Sequence, residues 1–483
     1  MSLTTYITSL LESGNTKFYL ARHETNQKVV CIEGDATIFE VAKQVGAINF
    51  CPLNAHNAAA LRAKFSWLAP APLGLKTSAG TGDRLGKATP GHILAVRGSG
   101  VAPIFAQQSV RENSRTKRTP QQVIDDAMWG VMQMGWREAW GADADHLKTT
   151  EDADSFVAAG YSFFTVDPGE HVDNAAQTDS LDTLKQKVNA LDWNLLNDSV
   201  ADLRQRYIGK TFNLNVVRQD AILPNNDLKL TFDEMTLLRA AAKYGRSVAH
   251  AVTMYRHIAK LKNGTFDFEV SVDETELPTS IEEHFYIANE LKRLGVKATS
   301  LAPRFVGRFE KGVDYIGDLN ALDENLKQHS AIARYFNYKI SLHSGSDKFT
   351  VYPIAVKYTQ GLVHLKTAGT SYLEALRVIA SVSPQLFKTI LDFSRERYTT
   401  DSATYHVSAD LVKVPASAAL ADSALSSLLD QFDARQVLHV TYGSVLAQFG
   451  DQLHATLAKN EELFTEYIRK HFVKHIQPFA VNK

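Results

Sequence analysis

Lys339-Ile-Ser-Leu-His-Ser-Gly-Ser-Asp-Lys-Phe-Thr-Val-Tyr-Pro353 begins as a short apolar strand and ends in a knot of polar groups. Period-two alternation sets Ile340 and Leu342 on one face and Ser341 and His343 on the other, so a polar line points away from the apolar packing face. A lone histidine in such a place is more often a hydrogen-bonded core residue than a functional group. Its meaning depends on whether other strands end the same way.

They do. Phe266-Asp-Phe-Glu-Val-Ser-Val-Asp273 is the cleanest alternation in the chain, with Phe266, Phe268, Val270 and Val272 against Asp267, Glu269, Ser271 and Asp273. On an edge strand that polar face is simply solvated. On a central strand Glu269 and Asp273 are inward carboxylates that need a metal, a proton or a partner. Gly141–Thr149 closes on Asp145, His146 and Lys148, and Tyr161–Asp167 closes on Asp167, with His171 just beyond. Ala298–Ala302 runs out at Pro303 and Arg304, and Leu362–Leu365 carries His364 and leads into Lys366. A stretch ending at Lys76 and the run Val437–Tyr442 complete eight strand patterns, centred near 72, 143, 164, 269, 300, 341, 363 and 439.

Helical spacing follows most of these patterns. Pro120 behind Thr119 opens a helix through Met134, and Ser280 with Glu283 and Ser371 with Glu374 stand at capping-box spacing. Alternating strand and helix argues for parallel strands with crossovers, and eight units predict a closed, TIM-like (β/α)8 barrel; an open doubly wound sheet is the alternative. In either fold the ligand site lies at the C-terminal ends of the strands. Residues 1–65, with helical patterns at 4–11, 37–45 and 56–65 and a strand pair at 17–22 and 28–32, read as an N-terminal α/β extension. Residues 66–483 read as the barrel domain, carrying a helical insertion at 175–262 after the third strand.

Composition removes several function classes. The 483 residues hold 52 basic and 53 acidic side chains, a net charge of −1, so no global field holds nucleic acid or an anionic membrane and any anion site is local. Cys31 and Cys51 have neither metal-ligand spacing nor a disulfide framework, which favours a reducing, cytoplasmic setting. No secretory signal and no run long enough to span a bilayer are found, so the chain reads as soluble. The glycines at 80, 82, 86 and 91 fit neither a Walker loop nor a dinucleotide fingerprint. Oligomeric state is not readable.

Charged groups gathered at nearly every strand end repel or are desolvated unless they bind a metal or an anionic ligand. His146, His343 and His364 meet across the predicted barrel mouth, and imidazoles with a carboxylate suit zinc, nickel, manganese or iron. A metal there polarises a carbonyl and stabilises an enediolate. Asp145, Glu269 and Asp273 are then candidates to move protons, and Lys76, Lys366 and Arg304 to hold a substrate carboxylate.

The runs Gly82-Asp83-Arg84-Leu85-Gly86 with Ala88-Thr89-Pro90-Gly91-His92, Ala144-Asp145-His146-Leu147-Lys148-Thr149, and Leu342-His343-Ser344-Gly345-Ser346-Asp347-Lys348-Phe349 resemble those of the tagaturonate/fructuronate epimerase family, from about residue 65 to the C terminus. The resemblance implies a metal-dependent barrel enzyme of hexuronate breakdown that interconverts D-tagaturonate and D-fructuronate; close relatives act on the neutral ketoses fructose and tagatose. In these 5-keto acids the inverted carbon, C3, is two atoms from the carbonyl, so its proton is not acidic enough for simple abstraction. Retro-aldol opening of the C3–C4 bond to a metal-stabilised enediolate, rotation of the aldehyde and re-addition answers this. Transient oxidation needs a nicotinamide, for which no fingerprint is present. The expected roles are metal ligation by His146, His343 and His364 and acid/base work by Asp145 and Glu269. Lys76, Asp83, Asp167, Asp273, Arg304, Asp347 and Lys366 are expected around the substrate. One conflict stands: Asp145 and His146 are neighbours, and neighbours on a regular strand point opposite ways, so Asp167 is the substitute for Asp145. The rival functions are a metal-dependent aldolase or lyase, which differs only in letting the fragments escape, and a sugar-acid binding protein.

Overall fold

A computed structural model describes residues 3–214, 228–367 and 369–481. Eight parallel strands close into a barrel: β1 Ser78–Thr81, β2 Ala102–Ser109, β3 Gly141–Leu147, β4 Phe163–Val166, β5 Asp267–Ser271, β6 Ser300–Ala302, β7 Lys339–Leu342 and β8 Val363–Thr367. Spatial order follows chain order, β8 closing on β1 with His364 opposite Ser78. The alternation predicted for β5 and β7 is observed. Phe268, Val270, Ile340 and Leu342 pack outward into the main core with the surrounding helices, while Glu269, Ser271, Ser341 and His343 are buried inside.

Two of the eight predicted strands are placed differently. Val437–Tyr442 lies in helices Phe432–Val440 and Tyr442–Lys459, where Val437, Leu438, Val440 and Tyr442 are all buried; a short apolar run buried all round looks the same to a periodicity reading in either state. The missing strand is β2, buried at all of its 8 positions and so without the alternation that marks a half-exposed strand. The first strand begins at Ser78 rather than near 72, which leaves Lys76 ahead of it, exposed at the N-terminal end of the barrel. Counting β2, the helical insertion follows the fourth strand. Its last helix, Glu234–Lys262, is the crossover into β5, started by the Asp233 side chain on the Thr236 N–H and ended by Asn263 at φ 51°.

The other helix starts follow their capping chemistry only in part. Thr119 with Gln122 and Ser280 with Glu283 form reciprocal boxes. Helix Thr370–Val382 instead starts from Gly369, and the Ser371 hydroxyl donates to the Gly82 carbonyl. At the N terminus the 17–22 and 28–32 patterns pair antiparallel as strands Thr16–His23 and Lys28–Glu33. The 4–11 and 37–45 patterns are not α-helices; Leu3–Thr5, Leu11–Ser13 and Lys43–Val45 join the same 6-stranded sheet, with one 3-10 turn at Ile7–Ser9 between the first two. After β8, helices from Thr370 to Ile476 build a second core around Tyr372, Leu376, Phe387, Leu438 and Phe464. Among the described residues no helix is long and apolar enough to cross a membrane.

Candidate active site at the barrel mouth

The adjacency of Asp145 and His146 is resolved by the backbone. Ala144 lies opposite Phe164 and Leu147 opposite Val166, so β3 holds one extra residue, and His146 takes a left-handed φ of 55°. A bulge of this kind re-aims a side chain at a local cost of order 1–3 kcal/mol, which the surrounding fold must offset. Both groups consequently face the mouth.

There His146, Asp273 and His343 offer one donor atom each, all within 4.8 Å of one another. The two imidazoles stand edge to face, centroids 5.1 Å apart. His343 Nε2 is 2.6 Å from Glu269 Oε1, while its Nδ1 is 3.1 Å from Asp273 Oδ1 and 3.2 Å from Ser271 Oγ. His146 lies between Asp145 at 3.7 Å and Asp167 at 3.5 Å, and its buried Nδ1 has no hydrogen-bond partner among the described residues. Burial opposes charge on these rings, yet Asp145 and Asp167 override it and raise His146 to about 10, and Asp273 and Glu269 likewise raise His343. Against its own burial, Asp273 is held well below the usual carboxylate range by His343 and His146. The pocket is thus short of a cation, which a proton or a divalent ion can supply. The residues fit the ion: a carboxylate on Nε2–H of His343 fixes the tautomer that frees Nδ1, the arrangement usual behind metal-ligating histidines.

Beneath the mouth, the Lys366 Nζ lies 2.9 Å from Asp143, 2.7 Å from Asp145, 3.0 Å from Glu269 and 2.5 Å from Thr165 Oγ1. Despite complete burial the three carboxylates keep this ammonium charged, and burial pushes Asp143 up to about 7, which relieves the excess negative charge. Ser300 donates to the far oxygen of Glu269. Lys366 is therefore committed to protein carboxylates rather than turned out toward a ligand. Asp143, Thr165 and Ser300 escaped the sequence reading, although Asp143 is the period-two neighbour of Asp145.

The remaining predicted residues divide. Arg304 faces the cleft above the histidines. His364 lies apart from the His146–Asp273–His343 group: as the second residue of β8 it sits deep in the barrel, its Nδ1 2.9 Å from Ser78 Oγ, and burial drives its pKa well down. Asp83 accepts the backbone N–H groups of Leu85, Gly86 and Ala88 and so shapes its own loop. Asp347 is paired with Arg435 at 2.8 Å, and Lys348 Nζ donates to the carbonyls of Glu310, Val313 and Ser346. Both serve the turn after β7, where Ser344 and Asp347 have φ of 48° and 60°. The cleft, about 140 Å³ with Asp273, His343, Arg304 and Lys311 on its walls, has room for on the order of ten waters, the scale of a six-carbon sugar acid.

The chain matches the family model described as tagaturonate epimerase over residues 6–479. It is 44% identical over 480 residues to the tagaturonate/fructuronate epimerase of Thermotoga maritima, covering 98% of this chain and 96% of that protein. A glycerol-complexed crystal structure of the fructuronate-tagaturonate epimerase of Cohnella laeviribosi is similar with a TM-score of 0.93 at 35% identity, over 99% of this chain and 97% of that one. The native structure of the same enzyme gives 0.93 at 35%, over 100% and 97%.

Proposed function

The chain belongs to the tagaturonate epimerase family, and from that premise we propose that it interconverts D-tagaturonate and D-fructuronate by opening and reclosing the C3–C4 bond on the His146–Asp273–His343 group. The observation that carries the reading is that group itself: two imidazoles and a carboxylate at the strand ends, framed by further carboxylates and opening onto a sugar-sized cleft. His146, Asp273 and His343 would hold a divalent ion, which would supply Lewis-acid polarisation of the substrate carbonyl. Zinc, nickel, manganese and iron all suit this donor set.

The protein's own residues do the rest. Glu269, enclosed by His343, Ser300, Thr165 and Lys366, holds the His343 ring; with every approach occupied it is a positioning residue. Asp167, 3.5 Å from His146 Nδ1, flanks that ring and favours its charged form without hydrogen-bonding it. Asp145, ionised against its burial by Lys366 and the two histidines, lines the small cavity beside His146 and in this reading takes the C3 hydroxyl proton. As that proton leaves, the C3–C4 electron pair moves toward the carbonyl, giving a three-carbon enediolate and a three-carbon aldehyde that carries the carboxylate. The aldehyde turns its other face, the bond re-forms, and Asp145 returns the proton to the new C3 oxygen. Arg304, on the cleft wall, meets the carboxylate in this reading. The free, buried Cys31 and Cys51 support a cytoplasmic setting.

The test is chelation followed by reloading with each metal in parallel, assayed with tagaturonate. Activity is expected to vanish and return with at least one ion; equal turnover by metal-free and reloaded protein would sink the reading.

A further inference from the structure

Around the cleft the charges pair off unevenly. Arg111 lies 3.6 Å from Glu274, Arg308 lies 3.2 Å from Glu310, and Asp273 belongs to His343. Arg304 and Lys311, on the same walls, have no carboxylate partner among the described residues. Lys311 alone of these two also lines the smaller cavity beside Asp145 and His146, so it stands at the junction of the cleft and the reacting end of the site. Its backbone is anchored on both sides: the Glu310 carboxylate accepts from Ser408 Oγ at 2.7 Å and Gln436 Nε2 at 2.9 Å, and the Gly312 carbonyl accepts from Arg435 at 2.6 Å. Tyr405 lines the same space, with the Arg111 guanidinium 4.9 Å from the centre of its ring; the buried Tyr405 hydroxyl and Arg111 Nε have no hydrogen-bond partner among the described residues. Two cations on the walls of one cleft, neither paired with a carboxylate among the described residues, describe an anion site.

The chemistry gives that site a narrower task. Once C3–C4 opens, the aldehyde fragment has no covalent tie to the enediolate. It must be retained and yet be free to turn about its C2–C3 bond. A grip on C1, beyond the rotating bond, satisfies both demands, and C1 is the carboxylate. We infer that Lys311, together with Arg304, clamps the substrate carboxylate and retains the aldehyde fragment while its carbonyl turns, which is what separates an epimerase from an aldolase on this barrel. The inference rests on the bond-cleavage reading above.

Lys311→Met and Lys311→Arg, prepared as metal-loaded enzyme and checked for folding by thermal unfolding, test it with D-tagaturonate; Lys311→Gln replaces the Met variant if that fails to fold. Losing a charge-assisted contact is expected to raise KM roughly 10- to 100-fold with kcat within about threefold. A three-carbon aldehyde is expected to become trappable by a hydrazine during turnover of the Met variant and not of the parent, with Arg restoring both properties. A KM within twofold of the parent overturns the clamp, and aldehyde released alongside it leaves bond cleavage intact. A raised KM with no aldehyde from any variant overturns cleavage and, with it, the retention role.

Discussion

Two clusters in this protein have the same composition and opposite character. His146, Asp273 and His343 at the barrel mouth, and Asp347, His471 and His475 between the turn after β7 and helix Glu461–Ile476, each bring two imidazoles and a carboxylate within 4.8 Å. In the second, the nitrogens of His475 are spent: Nε2 accepts the Asp347 N–H at 2.9 Å and Nδ1 faces the His471 carbonyl at 3.0 Å. Asp347 carries Arg435 at 2.8 Å, and burial holds both histidines below their ordinary pKa, hence neutral. At the mouth, four carboxylates surround two imidazoles whose pKa values are raised; the one lysine or arginine paired with them among the described residues, Lys366, is shared by Asp145 and Glu269 and leaves Asp167 and Asp273 to the histidines. On the reading proposed above, donor type and spacing do not by themselves mark a metal site. The local charge balance decides, because a cluster with its cation built in gains nothing from a second one.

The largest effect that this contrast predicts is at the mouth. His343→Ala and Asp273→Asn should each lower kcat/KM by about 10³-fold or more, the several kcal/mol that a metal contributes to such a reaction, and should reduce bound metal on elemental analysis. His471→Ala should leave one equivalent per chain in place. Two equivalents in the parent, one of them lost with His471, would erase the distinction between the clusters.

A smaller effect separates ligation from support within the mouth cluster. Glu269→Gln keeps the shape but removes the carboxylate behind His343, and such outer partners are typically worth 10- to 100-fold in metal affinity or activity. Turnover of the variant should recover as metal is raised. A deficit that persists at saturating metal would instead make Glu269 the proton-transfer group.

These roles were unevenly legible in the sequence. Alternation alone turned Glu269, Ser271 and His343 inward, because a period of two survives any uncertainty about where a strand begins. Depth does not survive it. His364 is the second residue of β8, whereas Asp273 lies two residues beyond the end of β5, so a histidine with the right facing sits below the mouth and a carboxylate assigned to the substrate joins the metal-type group. The bulge that turns Asp145 and His146 the same way leaves no mark on residue pattern at all. Asp347 looked like a ligand group because it follows a site strand, but its partner comes from a helix far along the chain.

The smallest effect tests whether the second cluster is structural. Although burial favours its neutral form, Asp347 is held down to about 2, chiefly by the Arg435 guanidinium. A depressed carboxylate contributes stability that is fully present above its unfolded pKa of about 3.9 and is lost as pH falls toward the folded value, here about 2 kcal/mol between roughly pH 4 and pH 2. Asp347→Asn removes that contribution and leaves Arg435 buried without its partner, a loss of roughly 3–5 kcal/mol at neutral pH. The variant should therefore unfold at lower denaturant than the parent at pH 7, and the gap should narrow as both are taken to pH 2. Metal content should stay at the parent value, and kcat should fall by less than about tenfold, through the loosened turn that carries Ser344. A variant that kept its stability but lost metal would place Asp347 with the mouth residues after all.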